Sequence, residues 1–346
     1  MTQEQPRRPR VTLAQVAQRA GVSRSAAGFV LSGRRDQRIA QDTWQRVEEV
    51  AAELGYRPNL TARTLRTGTS GTVAMISDHI STTSLANAMV SGAMRELAER
   101  GVLMLTVETL GESSTEERVV AELLDRHVDG FVLATMFTRA VRVPAALASH
   151  PVVLLNCVDE SSALPTVVPD ERGGGAAAGQ VLLEAGLDGP VHFIGSLPEG
   201  SSGTERWHGA TPLALAERLT GLRSVIDEVV TVDVATDWDV ADGHAAVAGL
   251  LASGVEPRAL VCANDRLAVG AYRALREGGL LVPSDVSVVS FDDSPAAEIV
   301  VPPLTSVALP HEEMGREAVR LLLGESDGLR RVPMPLVVRD SVARRS

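Results

Sequence analysis

Arginine is the residue through which this chain has the most chemistry to offer. All 33 basic residues among the 346 are Arg, and there is no Lys. Residues 1–70 hold 12 Arg against 6 acids, a net charge of +6, whereas residues 71–346 hold 21 Arg against 38 acids, a net charge of -17. A guanidinium fork matches phosphate geometry. A small basic head on a large acidic body therefore points to nucleic-acid contact through the head alone, in spite of the overall charge of -11. Catalysis has no comparable foothold. Without Lys there is no GxxxxGK[ST] loop, and no GxSxG elbow occurs. The seven His residues show no metal-ligand spacing with Cys or carboxylates. Cys157 and Cys262 stand alone among apolar neighbours, as reduced core thiols do. The run ERGGGAAAG (171–179) imitates a dinucleotide turn only superficially: it lies late in the body and no acid follows at the right distance. It fits the start of a helix packed tightly on a sheet. No enzyme, cofactor or metal is expected.

Elements must hold these arginines in place. In VTLAQVAQRAGVSRSAAGFVL (11–31), Thr12 and Gln15 form a capping box, and Leu13, Val16, Ala17 and Ala20 make one apolar face. Gly21 ends that helix. Ser23 caps a second, with Ala26, Ala27, Val30 and Leu31 inward, and a third is predicted over Asp42–Leu54 with Gly55 as its stop. Two short helices joined by a tight glycine turn are a helix-turn-helix. Residues 57–70, RPNLTARTLRTGTS, allow a helix of about two turns capped by Asn59 and ending before Gly68, too short to be stable alone.

From Thr72 onward, β-branched runs alternate with amphipathic stretches. Strands are predicted at 72–76, 102–108, 130–135, 151–156, 191–196, 229–234, 259–263 and 287–291. Helices are predicted at 84–100, 115–127, 173–185, 206–220, 240–253 and 265–277. Such alternation means parallel sheets, with ligands at the carboxyl ends of strands. The 45% hydrophobic and 22% charged content is that of a globular protein. No apolar stretch is long enough to span a membrane, and MTQEQPRRPR lacks the apolar region of a secretory signal, so a cytoplasmic protein is expected.

In VTLAQVAQRAGVS, ELGYRPNLTARTLRTG, VPSDVSVVSFDD (282–293) and PPLTSV (302–307), the chain resembles the LacI/GalR family of bacterial transcription regulators over nearly its whole length. The resemblance implies an all-α helix-turn-helix headpiece (1–56), a hinge helix or linker (57–70), and a two-lobed α/β core of the periplasmic-binding-protein-like type I (71–346) with parallel sheets. Its lobes would be 71–168 with 299–327, and 169–298 with 328–346, the chain crossing near residues 168, 298 and 328. The core would bind the effector and dimerise. The helix from Ser23 would enter the major groove, with Arg24 and Ser25 reading base edges. Leu65 would wedge into the minor groove, and Arg63 and Arg66 would hold phosphates. Thr12, Asn59, Arg34 and Arg35 complete the DNA-binding set. Where the family carries Thr-Val-Ser-Arg, this chain has Ala26, Ala27, Gly28 and Phe29, so a guanine-reading Arg is replaced by Phe29, which meets a thymine methyl or packs inward.

The resemblance further implies an effector site. Arg206 stands in the family's Arg-x-x-Gly, Asn264 and Asp292 end strands, and Trp238 stands where a tryptophan stacks on sugar in the lac repressor. Asn156 falls where many members carry Asp. Capping for Asn264 and turn formation for Asp292 remain structural alternatives. Asp265 is read as a structural helix-start residue. The expected partners are a pseudo-palindromic double-stranded operator, a small effector such as a sugar or a nucleobase, and a second copy of the chain. The end of the chain shows no leucine heptad, so the tetramer-forming tail of the lac repressor is not expected. The competing classes are a periplasmic sugar-binding protein and a sugar-modifying enzyme.

Overall fold

A computed structural model describes residues 11–33, 37–57, 64, 67–83, 85–159, 163–196, 213–234, 238–325 and 327–343. The chain divides into two compact units, Met1–Ser70 and Gly71–Ser346.

The first unit is three helices, α1 (Leu13–Ala20), α2 (Arg24–Leu31) and α3 (Gln41–Glu53). Thr12 and Gln15 make the reciprocal capping box, and Ser23 Oγ accepts from Ala26 N at 3.1 Å. Gly21 adopts a left-handed conformation, so Val22 N can donate back to Ala17 O at 3.0 Å and close the first helix. Gly55 does the same for α3, where Tyr56 N reaches Ala51 O at 2.8 Å. Val16, Ala17, Ala20, Ala27, Val30 and Val47 are the centre of a small core. At the end of the linker, Gly68 N donates to Thr64 O at 2.8 Å and Gly68 is left-handed, a helix-closing turn where the sequence places one.

The second unit holds two six-stranded sheets. One joins β1 (Thr72–Ser77), β2 (Leu103–Glu108), β3 (Gly130–Ala140), β4 (Val152–Val158), β5 (Thr166–Pro169) and β11 (Leu329–Val332), in the order β11-β5-β4-β3-β1-β2. The other joins β6 (Val191–Ser196), β7 (Val229–Asp233), β8 (Ala259–Cys262), β9 (Ser287–Asp292), β10 (Thr305–Ala308) and β12 (Leu336–Val337), in the order β12-β10-β9-β8-β6-β7. All pairings are parallel except β10 with β12. The first lobe is covered by α4 (Asn87–Glu99) and α11 (His311–Leu322) on one face and α5 (Ser113–Asp125) on the other. The second carries α6 (Glu171–Glu184), α7 (Leu213–Arg223), α8 (Val240–Ala252), α9 (Asp265–Glu277) and the short α10 (Pro295–Ile299).

The strand order corrects two expected crossings. Strand β10 belongs to the second lobe, not the first, and β11 belongs to the first lobe, not the second. The chain therefore crosses after β5 at about 169–170, after β10 at about 309–310, and after β11 at about 333–335. The reason is register: Thr305–Ala308 pairs residue for residue with Val289–Asp292, and Leu329–Val332 with Thr166–Pro169.

Three helix pairs share one packing device. In α4 with α11, α6 with α7 and α8 with α9, each helix offers a glycine to the other: Gly92 and Gly315, Gly175 and Gly221, Gly243 and Gly270. A Cβ at any of the six would enter the shell of a backbone carbonyl oxygen on the partner helix. Backbones this close gain contact over their full width. The run 171–179 thus serves packing as expected, but Gly175 and Gly179 face α7 and the turn after it rather than the sheet.

Candidate functional site

In the first unit, Thr12 and Ser23 are occupied as helix caps. Arg24 and Ser25 occupy the first turn of α2 and are exposed. Phe29 is half-buried. Arg46 Nε donates to Ala20 O at 3.0 Å, tying α3 to the end of α1. Arg34, Arg35, Asn59, Arg63, Leu65 and Arg66 lie outside the described residues.

In the second unit, a cavity of about 470 Å³ lies between the lobes. Of the five predicted effector residues, Asn156, Trp238, Asn264 and Asp292 line it together, and Arg206 lies outside the described residues. Met136, Phe137, Leu85 and Ala86 bring an apolar wall from the first lobe, and Ala214 and Leu215 face them from the second. An apolar box with a few convergent polar groups is the usual form of a small-molecule site.

The backbone is strained where the cavity is lined. Asn156, Trp238 and Asp292 have φ of 60°, 54° and 108°, and Asp293 next to it has 52°. Among the described residues only Leu110 and His127 otherwise leave the negative-φ region without being glycine. Non-glycine residues held there cost of order 1–3 kcal/mol each and cluster at binding sites.

Each side chain has a local reason for its place. Asn156 Nδ2 donates to Thr135 O at 3.0 Å, and its Oδ1 accepts from Thr138 Oγ1 at 2.7 Å. Asn264 Oδ1 caps α9 by accepting from Leu267 N at 2.8 Å, and its Nδ2 donates to Trp238 O at 3.2 Å. Capping and cavity lining thus coexist at Asn264. The Trp238 ring packs on the second lobe's core as well as lining the cavity. Asp265, fully buried, accepts from Ser294 N at 2.7 Å and Ser306 Oγ at 2.8 Å, which is the structural role read from its position. Burial, reinforced by the charge of Asp265, pushes the Asp292 carboxyl up to about 8. His311 Nδ1 lies 3.0 Å from Leu85 O, and burial pushes this imidazole down to about 4.

Arg218 and Glu171 are among the lining residues that the sequence reading missed. Arg218 is 6% exposed and lies on α7. Its Nε and Nη2 donate to Glu171 Oε2 and Oε1 at 2.5 and 3.1 Å, and Nη1 donates to Ala263 O at 2.6 Å. One signal was present: Leu215, Arg218 and Leu222 share a helix face, and a charge on an apolar stripe implies a buried partner. Among the described residues, no cluster of three His, Cys, Asp or Glu could hold a metal, and no helix is long and apolar enough to cross a membrane.

A three-helix unit with an exposed recognition turn, followed by a two-lobed parallel α/β unit with a ligand-sized cleft, defines a regulator that couples a DNA-reading head to a binding-protein-like sensor. Residues 12–59 match the bacterial regulatory proteins of the lacI family, and residues 180–346 match a periplasmic binding protein-like domain. The transcriptional regulator CelR of Thermobifida fusca is 34% identical over 96% of this chain and 96% of its own. The sucrose operon repressor of Escherichia coli is 30% identical over 95% and 99%. The chain belongs to the lacI family. In structure it is similar to a CelR–cellobiose complex (TM-score 0.61, 30% identity, 96% of this chain and 100% of that one). It also shares the fold of the lac repressor dimer bound to operator and an anti-inducer (TM-score 0.75, 23% identity, 97% and 100%).

Proposed function

We propose that this protein is a cytoplasmic, homodimeric repressor whose affinity for a pseudo-palindromic operator is set by a sugar bound between its lobes. The observation that carries this reading is the convergence of Asn156, Trp238, Asn264 and Asp292, assigned from sequence, on one cavity of sugar size. Relatives named for sucrose, ribose and cellobiose support it. Arg24 and Ser25 read base edges, with Phe29 beside them on the same helix. Arg34, Arg35, Arg63 and Arg66 hold phosphates, Asn59 caps the hinge helix, and Leu65 supplies the minor-groove wedge. Arg206 and the four lining residues hold the effector, and Trp238 stacks on the C–H face of the sugar ring. Effector changes the angle between the lobes, the lobes change the separation of the two hinges, and by linkage operator changes effector affinity by the same factor.

The test selects duplexes from a random library with the full chain, then adds each sugar that raises its melting temperature. Enrichment of two inverted half-sites, with affinity altered by a stabilising sugar, is expected. Enrichment without symmetry, or a cleft ligand that leaves DNA affinity unchanged, refutes the reading. A nucleobase or nucleoside is the second reading, favoured by the stacking surface that Trp238 brings to the cavity. Adding nucleobases and nucleosides to the same screen separates the two.

A further inference from the structure

The first lobe has a cavity of its own, of about 280 Å³, on the α5 face of its sheet. Topology puts it there. In the order β4-β3-β1-β2 the chain leaves β1 for α4 on one face and β2 for α5 on the other, so a crevice opens at the carboxyl ends of β1 and β3. The interlobe cavity takes one side of that crevice, through Ala86 and Met136. The second cavity takes the other side, through Ser77 and Thr135.

Its innermost charges are already satisfied. Asp78 Oδ1 accepts from His79 N at 2.6 Å and Met136 N at 3.0 Å, and its Oδ2 accepts from Arg139 Nη2 at 3.2 Å. Other lining groups are not. Ser77 is 3% exposed, and its Oγ is buried with no hydrogen-bond partner among the described residues. A buried hydroxyl left this way is costly unless a ligand or water meets it. Glu116, half-buried in the first turn of α5, and Arg142, exposed just past the end of β3, both line the cavity. The side chain of neither makes a hydrogen bond or ion pair with a described residue, and the two do not reach each other. Burial pushes the Glu116 carboxyl up in spite of the neighbouring Arg139 charge. Helix α5 starts on Glu112, whose side chain caps none of its N–H groups, and its first residue, Ser113, lines the same space. An uncapped helix start favours an anion.

The cavity thus offers both signs of charge. A lone anion there would also meet Glu116, and a lone cation would also meet Arg142 and the positive end of α5. A molecule bearing both charges finds a complement for each. We propose that this cavity is a second ligand site, built for a small zwitterion of the α-amino-acid kind. The ligand carboxylate lies against the start of α5 and Arg142 and accepts from Ser77 Oγ, and the ligand ammonium donates to Glu116. The site is separate from the interlobe cavity and stands whether or not a sugar binds there.

The test measures binding of the common L-amino acids to the full chain by calorimetry and thermal shift. Each amino acid that binds is compared with the amine lacking its carboxylate and the acid lacking its ammonium. At least one amino acid is expected to bind, with its amine and its acid at least tenfold weaker. Glu116→Gln and Arg142→Gln break no side-chain bond of the fold, so both should melt with the wild type while each loses at least tenfold in affinity for that amino acid. Ser77→Ala should also weaken it, and Trp238→Ala, in the interlobe cavity, should bind it as the wild type does. Binding by none of the amino acids overturns the proposal. So does an acid or amine that binds as well as its parent, which would make this an anion or a cation site. A loss of affinity in Trp238→Ala with none in Glu116→Gln and Arg142→Gln overturns it too, by placing the amino acid between the lobes.

Discussion

The same substitution should have opposite signs at two helical glycines. Gly221→Ala on α7 would place a Cβ 2.9 Å from Ala176 N and from the carbonyl carbon of Arg172, and nearer still to that carbonyl's oxygen. Ordinary contact begins near 3.4 Å, so α6 and α7 must part by about an ångström. A gap of that size forfeits roughly a quarter to a half of the dispersion between facing atoms. The faces include Ala178 and Leu182 on one side and Leu215 and Leu222 on the other, all buried. Overpacking of this kind costs about 1–3 kcal/mol. It has to overcome the gain of up to about 1 kcal/mol that alanine brings to any helix interior. Gly249→Ala on α8 meets nothing within 4 Å, so only that gain applies, and it should stabilise by about 0.5–1 kcal/mol. Urea melts of both full-length variants, followed by far-ultraviolet circular dichroism, compare the midpoints. A Gly221→Ala midpoint at or above that of Gly249→Ala would refute the close-crossing argument.

Stability should depend on pH through two groups of opposite sense. Asp292 keeps a proton up to about pH 8 in the fold but releases it near 3.8 when unfolded, so stability falls as pH rises between them, by at most about 1.4 kcal/mol per unit. His311, at about 4 in the fold against 6.5 unfolded, does the reverse below 6.5, so the Asp292 contribution is read from pH 6.5 to 8 as the difference between wild type and variant. Asp292→Asn should flatten urea midpoints over that range, and an unaltered slope would count against it. Thr12→Ala removes one half of the α1 capping box and should cost the head about 1 kcal/mol, read from the melt of the isolated transition or from protection of α1 amides. Arg24→Ala should weaken selected-operator binding by about 1–3 kcal/mol and relax sequence preference, measured by anisotropy at fixed salt. Leu65→Ala should weaken operator binding sharply while calorimetry shows effector affinity unchanged, and equal operator affinity would refute the wedge.

The legible parts of this molecule were those fixed by near neighbours. Thr12 with Gln15, and Ser23 before Ala26, announce helix starts through bonds three residues long. Strands β1, β3, β4, β6, β8 and β9 stood out because they are largely buried apolar runs bounded by helical periodicity, and the edge strands β2 and β7, though partly exposed, kept their β-branched or apolar runs. Strands β5, β10, β11 and β12 did not. Each is two to four residues long, and its existence depends on a distant partner, as Leu329 does on Thr166. The crossings were misplaced for the same reason. In the cleft, Asn156, Trp238, Asn264 and Asp292 were reached through family motifs. Arg218 belongs to no such motif, and its meaning appears only when α6 brings Glu171 against it.

The threefold crossing between lobes also bears on how the protein is made. The head is complete once Tyr56 has emerged, with its core closed by contacts among residues 11–56. The first lobe must wait for Leu329–Val332 to reach its sheet edge, and the second for Leu336–Val337. At roughly 5–20 residues per second, the ribosome leaves tens of seconds between these events. During every round of synthesis a nascent chain therefore carries a finished reading head and no finished sensor. A lone head has only one half-site to hold, so an unfinished chain should hold an operator more weakly than the finished dimer does.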